Sequence, residues 1–341
     1  MTLTTALPAL FMAAMGLSLL AYVLQDGHRL GLGLLMPFAS PQEQDALLGR
    51  LTPCSVAPEA WLLLATALLW VCFPAAHAVV LPAVIPPLAV MVAGLLLRGL
   101  ALGWHARATT PASQPTAGPE HPGRRLGQRM YAAGTLLAAV AQGWMLGTYV
   151  TGFHQDHWGR WFCTGIAITL PAAYAMQGVG WLVMQTQGAL QRKALAWGQG
   201  ALWPMGFALM GISLVTPVLS PTVFAKWFTL PGLLALLPIP VACAVAFLTI
   251  RHVLAAPRLV EAGYGWLVHA ATVLMVVLAF GGLAYSLFPY LVMDRLSLWQ
   301  AAGPAPSVLQ WGVGLLLTLM AAGLGAHQAV RWRVGWRRTG S

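Results

Sequence analysis

The sequence predicts an all-α polytopic membrane protein of about nine transmembrane helices, with a periplasmic N-terminus and a cytoplasmic C-terminus. Three observations carry this prediction: the composition, the spacing of the apolar runs and the placement of the basic residues. Of the 341 residues, 59% are hydrophobic and 8% charged, and the mean hydropathy is +0.74. Soluble domains carry about 25% charged residues, so a soluble fold would lack the polar side chains to cover its surface. The formal charge of +10 is not a nucleic-acid signal, because the bases fall in short segments between apolar runs. That pattern reports topology, and no nucleic-acid partner is expected.

Nine candidate spans follow from apolar runs near the roughly 20 residues needed to cross a bilayer. They cover residues 5–25, 60–79, 82–103, 130–150, 163–185, 200–218, 228–250, 266–288 and 307–328. The second and third are divided within FPAAHAVVLPAVIPP, whose Pro74, His77, Pro82, Pro86 and Pro87 are the break signals there. Two helices joined by a tight turn suit this stretch better than one span of more than about forty residues.

The bases test the division. With the loop after the third span inside, the inner side holds Arg29, Arg50, Arg98, Arg107, Arg124, Arg125, Arg129, Arg192, Lys193, Arg251, Arg258, Arg331, Arg333, Arg337 and Arg338. The outer side holds only Arg160, Lys226 and Arg295. A miscounted helix would scramble this bias. The C-terminal RWRVGWRR reads as an interfacial anchor, with Trp332 and Trp336 at headgroup depth and arginines facing anionic lipid. Trp61, Trp104, Trp158, Trp161 and Trp299 fall near span ends, as an aromatic belt does.

Residues 1–341 are expected to form a single transmembrane domain, beginning with a retained helix rather than a cleaved secretory peptide. PQEQDALLGR, residues 41–50, suits a short surface helix after Pro41. Residues 108–123 form a Pro/Ala/Thr-rich flexible linker between the third and fourth helices, on the cytoplasmic side.

Ionisable groups at membrane depth are costly, which makes each one worth weighing. AYVLQDGHRLGLGLLMPF, residues 21–38, interrupts an apolar run with Asp26, Gly27, His28 and Arg29. One reading ends the helix there, with a solvent-facing acid and a relaxed backbone at Gly27. The other continues the helix inside a bundle, with Asp26 paired or proton-exchanging and Gly27, Gly31 and Gly33 permitting close helix contact. Glu59 begins the second span on the same side, where an acid also favours a helix N-terminus. Arg98 either snorkels or neutralises one of these acids. Asp294 and Arg295 fall in an outward loop or a second polar patch.

Metal and haem signals are weak. Cys54, Cys72, Cys163 and Cys243 form no CxxC pair. His154 and His157 offer a two-ligand spacing without a third ligand. His77 and His269 lie in apolar surroundings but near opposite membrane faces, a poor arrangement for shared axial ligation. No metal site is expected, and no P-loop, dinucleotide fingerprint or HExxH motif occurs.

Taken together, the motifs resemble those of subunit II of the cytochrome bd-type quinol oxidases. DGHRLGLGLL resembles the DGxDxGxGxL signature closing that subunit's first helix. EAWLLL at 59–64 is similar to its GNEVWLIT region, followed by FP at 73–74. LLLRGLALGWHAR at 95–107, QTQGALQRKA at 185–194, AYSLFPYLV at 284–292 and LSLWQAAG at 296–303 continue the likeness in order. The resemblance implies a haem-free subunit, in a bacterial cytoplasmic (inner) membrane, that stabilises a haem-bearing subunit I. It also implies a contribution to proton or oxygen access. At complex level it implies quinol oxidation and dioxygen reduction, with haem b and haem d on subunit I. Membrane lipids surround the complex, and a structural quinone or lipid and small single-helix subunits are left open.

Residue by residue, Asp26 matches the signature's first acid, Glu59 and Trp61 match the acid and tryptophan of the next helix, and Arg98 matches the third-helix arginine. Asp26, Glu59, Arg98 and Arg29 are therefore the candidates for a proton path or polar network, and Gly27, Gly31, Gly33 and Trp61 for a structural signature. No catalytic residue is expected on this chain. Arg29 stands where the family has a second acid, Val56 and Pro58 occupy the positions around another, and Gln300 replaces a late Asp. A scaffold role survives these changes more easily than a conduit role. The other function class, a secondary transporter of a small neutral solute, would use broken helices near mid-membrane. A third reading is a divergent relative with altered redox chemistry.

Overall fold

The computed structural model describes residues 3–51, 58–108, 122–153, 156–230, 232–302 and 308–339. These residues are almost wholly helical: α1 (Leu3–Leu35), α2 (Pro41–Arg50), α3 (Glu59–Cys72), α4 (Pro74–Ala108), α5 (Pro122–Val150), α6 (His157–Gln185) and α7 (Ala189–Leu219). There follow α8 (Pro221–Phe228), α9 (Gly232–Leu236), α10 (Pro238–Ala255), α11 (Pro257–Leu259) and α12 (Trp266–Leu287). A two-stranded antiparallel hairpin, β1 (Tyr290–Val292) and β2 (Leu296–Ser297), precedes α13 (Leu298–Ala302) and α14 (Val308–Thr339).

Among the described residues six helices are long and apolar enough to cross a membrane: Ala6–Phe38, Pro74–His105, His157–Gln185, Ala189–Leu219, Gly232–Ala255 and Trp266–Leu287. Two shorter apolar helices, Glu59–Cys72 and Gln310–Gly325, accompany them. The architecture is thus that of an all-α polytopic membrane protein.

Local chemistry sets many of the helix starts. Pro41, Pro74, Pro122, Pro221, Pro238 and Pro257 each open a helix, where a missing N–H costs nothing and φ is already helical. Ser40 and Glu43 form a reciprocal capping box that fixes α2. Asp156 caps α6 by accepting the Gly159 N–H at 2.9 Å. Gly188, at φ +74°, gives the turn into α7 a backbone conformation that a side chain would strain.

Two boundaries differ from the sequence expectation. The break between the second and third spans lies at Phe73, not in the proline-rich stretch after it. Phe73 adopts φ −133° and ψ 61°, and α4 starts at once on Pro74. Pro82, Pro86 and Pro87 all lie inside α4. The first span does not end at residue 25 either; of the two readings of residues 21–38 the continuing helix is the one found, and α1 runs to Leu35. The surface helix at 41–50 forms as expected, with Leu47 and Leu48 buried. Residues 109–121, most of the expected linker, lie outside the described residues, as do Cys54, Val56 and His154. The side chains of the C-terminal RWRVGWRR are also outside them.

The chain groups into two compact units. One comprises Met1–Val23, Val56–Leu81 and Phe288–Ser341, and the other Leu24–Ser55 and Pro82–Leu287. In the first, α3 packs on α14, and Phe11 meets Trp311 edge-on at 6.5 Å. Asp294, exposed at φ 54°, lies in the tight turn between β1 and β2. Trp61, expected in an interfacial belt, is buried in this unit. Trp104, Trp158, Trp161 and Trp299 are exposed.

In the second unit, α6 is central and packs against α5, α7 and α12, with α10 on α7 and α12. Most of the apolar window of α6 is buried, against less than a third for the other five spans. The core draws on Leu32, Leu182, Met176, Met205, Ile250 and Val268. Glycines let the helices touch. A Cβ on Gly31 would lie 2.5 Å from the backbone nitrogen of Gly178, and one on Gly94 would lie 2.5 Å from the Gly134 carbonyl oxygen. Small residues at such crossings replace the hydrophobic driving force that lipid removes.

Candidate functional site: a buried polar network

The candidate site lies in the second unit, where the C-terminal part of α1 meets α4, α5 and α6. Because α1 does not end at Asp26, that carboxylate points into the bundle and is 0% exposed. Arg98, 6% exposed and 72 positions away in the chain, reaches it from α4. Its Nη1 donates to Asp26 Oδ2 and its Nη2 to Oδ1, both at 2.8 Å. This two-pronged geometry is the strongest form of carboxylate recognition open to arginine. Both carboxylate oxygens are therefore engaged, and the buried charges cancel.

Tyr131 of α5 completes the pocket. Its ring lies 5.5 Å from the Arg98 guanidinium carbon, within cation–π range. Its hydroxyl donates to the Arg29 carbonyl oxygen at 3.5 Å. Thr135, one turn further along α5, lies against Gly33, so that any side chain at 33 would overlap the threonine. Gly27 meets the flat amide of Gln177 from α6 in the same manner. The three glycines of the stretch thus each admit a neighbour: Gln177, the α6 backbone at Gly178, and Thr135.

The short helix α2 is also tied to the bundle. Gln128 of α5 donates to Asp45 Oδ1 at 2.9 Å, and the other Asp45 oxygen lies 3.7 Å from Arg124. Lys193 of α7 donates to both Glu43 oxygens at 2.8 and 2.9 Å. That ammonium, together with the Ser40 backbone N–H, holds the Glu43 carboxyl below its ordinary value of 4.5.

The structure therefore joins Asp26 with Arg98, and sets Gly27 and Gly31 against α6 and Gly33 against Thr135 of α5. Arg29 contributes its backbone carbonyl, which accepts the Tyr131 hydroxyl. Glu59 is the first residue of α3 and belongs to the other compact unit, where its place suits the positive end of a helix. Trp61, in that unit too, is 4% exposed. His157 accepts the Trp161 indole N–H at 3.0 Å. No group of three or more His, Cys, Asp or Glu side chains suited to a metal occurs among the described residues.

Sequence reasoning passed over Tyr131, Gln177, Gln128 and Asp45. Gln177 had a readable signal: it is a lone amide in the apolar run AYAMQGVGW, flanked by glycines that mark a close crossing. Tyr131 and Gln128 had none beyond their heptad-like spacing from Gly134.

The geometry can now be set beside known proteins. Residues 7–334 match the family described as cytochrome bd terminal oxidase subunit II. The bd oxidase structure from Geobacillus thermodenitrificans contains a chain of similar fold, with a TM-score of 0.67 and 14% sequence identity. The match covers 95% of this chain and 98% of that one. No curated protein matches. With nearly its whole length matched, this chain belongs to the cytochrome bd terminal oxidase subunit II family.

Proposed function

We propose that this chain is the haem-free subunit of a bd-type quinol:dioxygen oxidoreductase and acts as a scaffold for the haem-bearing subunit I in a bacterial cytoplasmic membrane. The observation that carries the scaffold role is the Asp26–Arg98 pair. A proton carrier must accept and release a proton, whereas Asp26 has both oxygens occupied by a fixed guanidinium. A permanent positive charge beside it also opposes the passage of protons. The pair clamps α1 to α4, and the family's first acid becomes a structural element.

Packing supports the haem-free reading. The His28 ring stacks on Trp181 at 6.0 Å and 21°. Gly27 and Gly31 beside it bring α1 and α6 into direct contact. His269 lies against Gly180 of α6, where a Cβ on the glycine would approach the His269 Cα to 2.7 Å. A haem between these histidines would have to part helices already in contact, so the residues present do not fit that group. Haem b and haem d belong on subunit I in this account, and there they would oxidise two quinols and reduce one dioxygen to water.

The test is co-purification with a tagged chain from its native membrane. A haem-bearing integral membrane protein is expected in one-to-one ratio. Recovery of the folded chain with no haem protein would refute the assignment. Turnover then separates scaffold from conduit. Asp26→Asn should lower the yield of assembled oxidase but leave turnover per haem unchanged. A full haem content with depressed turnover would make Asp26 part of the proton route.

A further inference from the structure

Gln177 of α6 is 1% exposed, yet both its amide oxygen and its amide nitrogen lack a hydrogen-bond partner. The buried Nδ1 of His269, on α12, is in the same position. Unsatisfied polar atoms in a protein interior cost about 1–3 kcal/mol each. Three in one neighbourhood therefore call for a partner.

The three atoms do share a neighbourhood. The Gln177 amide lies flat against Gly27, the residue before His28. His28 stacks on Trp181, one turn beyond Gln177. On the other side, the Cα of His269 packs on Gly180, three residues on from Gln177 along α6. Helices α1 and α6 thus meet at an amide that offers one acceptor and two donors, and α12 packs on α6 within one turn of it. Beside it is an imidazole nitrogen that can serve as either.

We propose that Gln177 and His269, closed over by His28, form a water-binding site in the membrane-embedded core of the second unit. The chemistry selects the ligand. A metal cation would need an anionic group, and Asp26 is already committed to Arg98. An apolar molecule would leave all three atoms unsatisfied. A water molecule supplies two donors and two acceptors and matches the mixed set. The water ties α6 to α12 through hydrogen bonds that the side chains cannot make directly.

The test uses the intact oxidase and the substitution Gln177→Leu. If a water is bound, leucine removes two of its partners and strands His269 Nδ1. The thermal-inactivation half-life of the complex should then fall about tenfold, the equivalent of about 1.4 kcal/mol in the barrier. If the site is dry, leucine merely deletes an unsatisfied amide, and the half-life stays the same or lengthens, which overturns the proposal. Should the variant fail to assemble, a cryo-EM map of the native complex that resolves ordered water decides the matter. Density within hydrogen-bond distance of the Gln177 amide and His269 Nδ1 is expected. Well-placed side chains with no density between them would overturn the proposal.

Discussion

The Asp26–Arg98 clamp gives a prediction that can be worked through in numbers. Both partners are buried, at 0% and 6% exposure, and joined by two hydrogen bonds of 2.8 Å. Removing one partner leaves an unpaired charge, which in buried pairs costs about 3–5 kcal/mol. Replacing both with apolar residues of similar size avoids that penalty and is often close to neutral. Arg98→Met and Asp26→Leu should therefore each destabilise the complex severely, while the double variant should recover most of the loss. The coupling energy from the cycle should be about 2–5 kcal/mol, favouring the pair. Arg98→Lys should fall between, because an ammonium is a point charge and cannot engage both oxygens in the same plane. The assay is the yield of assembled, haem-containing complex together with its inactivation half-life at a fixed temperature. Additive losses in the double variant would show that the two side chains act independently, and the clamp would be refuted.

Four further outcomes follow from the same structure. Gly31→Ala should block assembly or sharply lower its yield, since the new Cβ would lie 2.5 Å from the Gly178 nitrogen. Gly99→Ala, where nothing lies within 4 Å, should be neutral or slightly stabilising, by up to about 1 kcal/mol. Ser40→Ala should loosen α2 by about 1 kcal/mol, seen as faster hydrogen exchange over residues 41–50 alone. Because Lys193 lowers the Glu43 carboxyl, their contribution is fully present above the ordinary Glu value and is lost as the pH falls through the depressed one. With the Lys193 side chain 46% exposed, Glu43→Gln should cost under about 1 kcal/mol near neutral pH. Its difference from wild type should shrink as the pH falls below the ordinary Glu value and through the depressed one, as a series of thermal melts from pH 7 into acid would show.

How far the sequence determined these features varies with their range. Apolar runs located the long helices because hydrophobic length is a local property. Residues 41–50 were equally legible, since Pro41 and the Ser40–Glu43 spacing act within one turn. The end of α1 was only half legible: locally Asp26 suits a helix terminus as well as a continuing helix, and it is Arg98, far away in the chain, that makes its burial tolerable. The Phe73 break shows competing local rules. Four proline sites were available between residues 74 and 87, and each disfavours helix in the residue before it. Three are accommodated within α4, as prolines in apolar helices can be when neighbouring groups meet the freed carbonyls. Only Pro74 coincides with a helix start. Gln177 and His269 are neighbours because α6 and α12 cross at Gly180; the glycines after Gln177 mark a close crossing but do not say which helix fills it.

The central claim, a haem-free scaffold subunit of a bd-type oxidase, is tested most directly by absorption spectroscopy. The purified complex is compared with this chain after gentle separation from its partner. The account predicts haem b and haem d bands in the complex that remain entirely with the partner subunit, leaving this chain with protein absorbance only. Haem bands retained in stoichiometric amount by the separated, folded chain would contradict it.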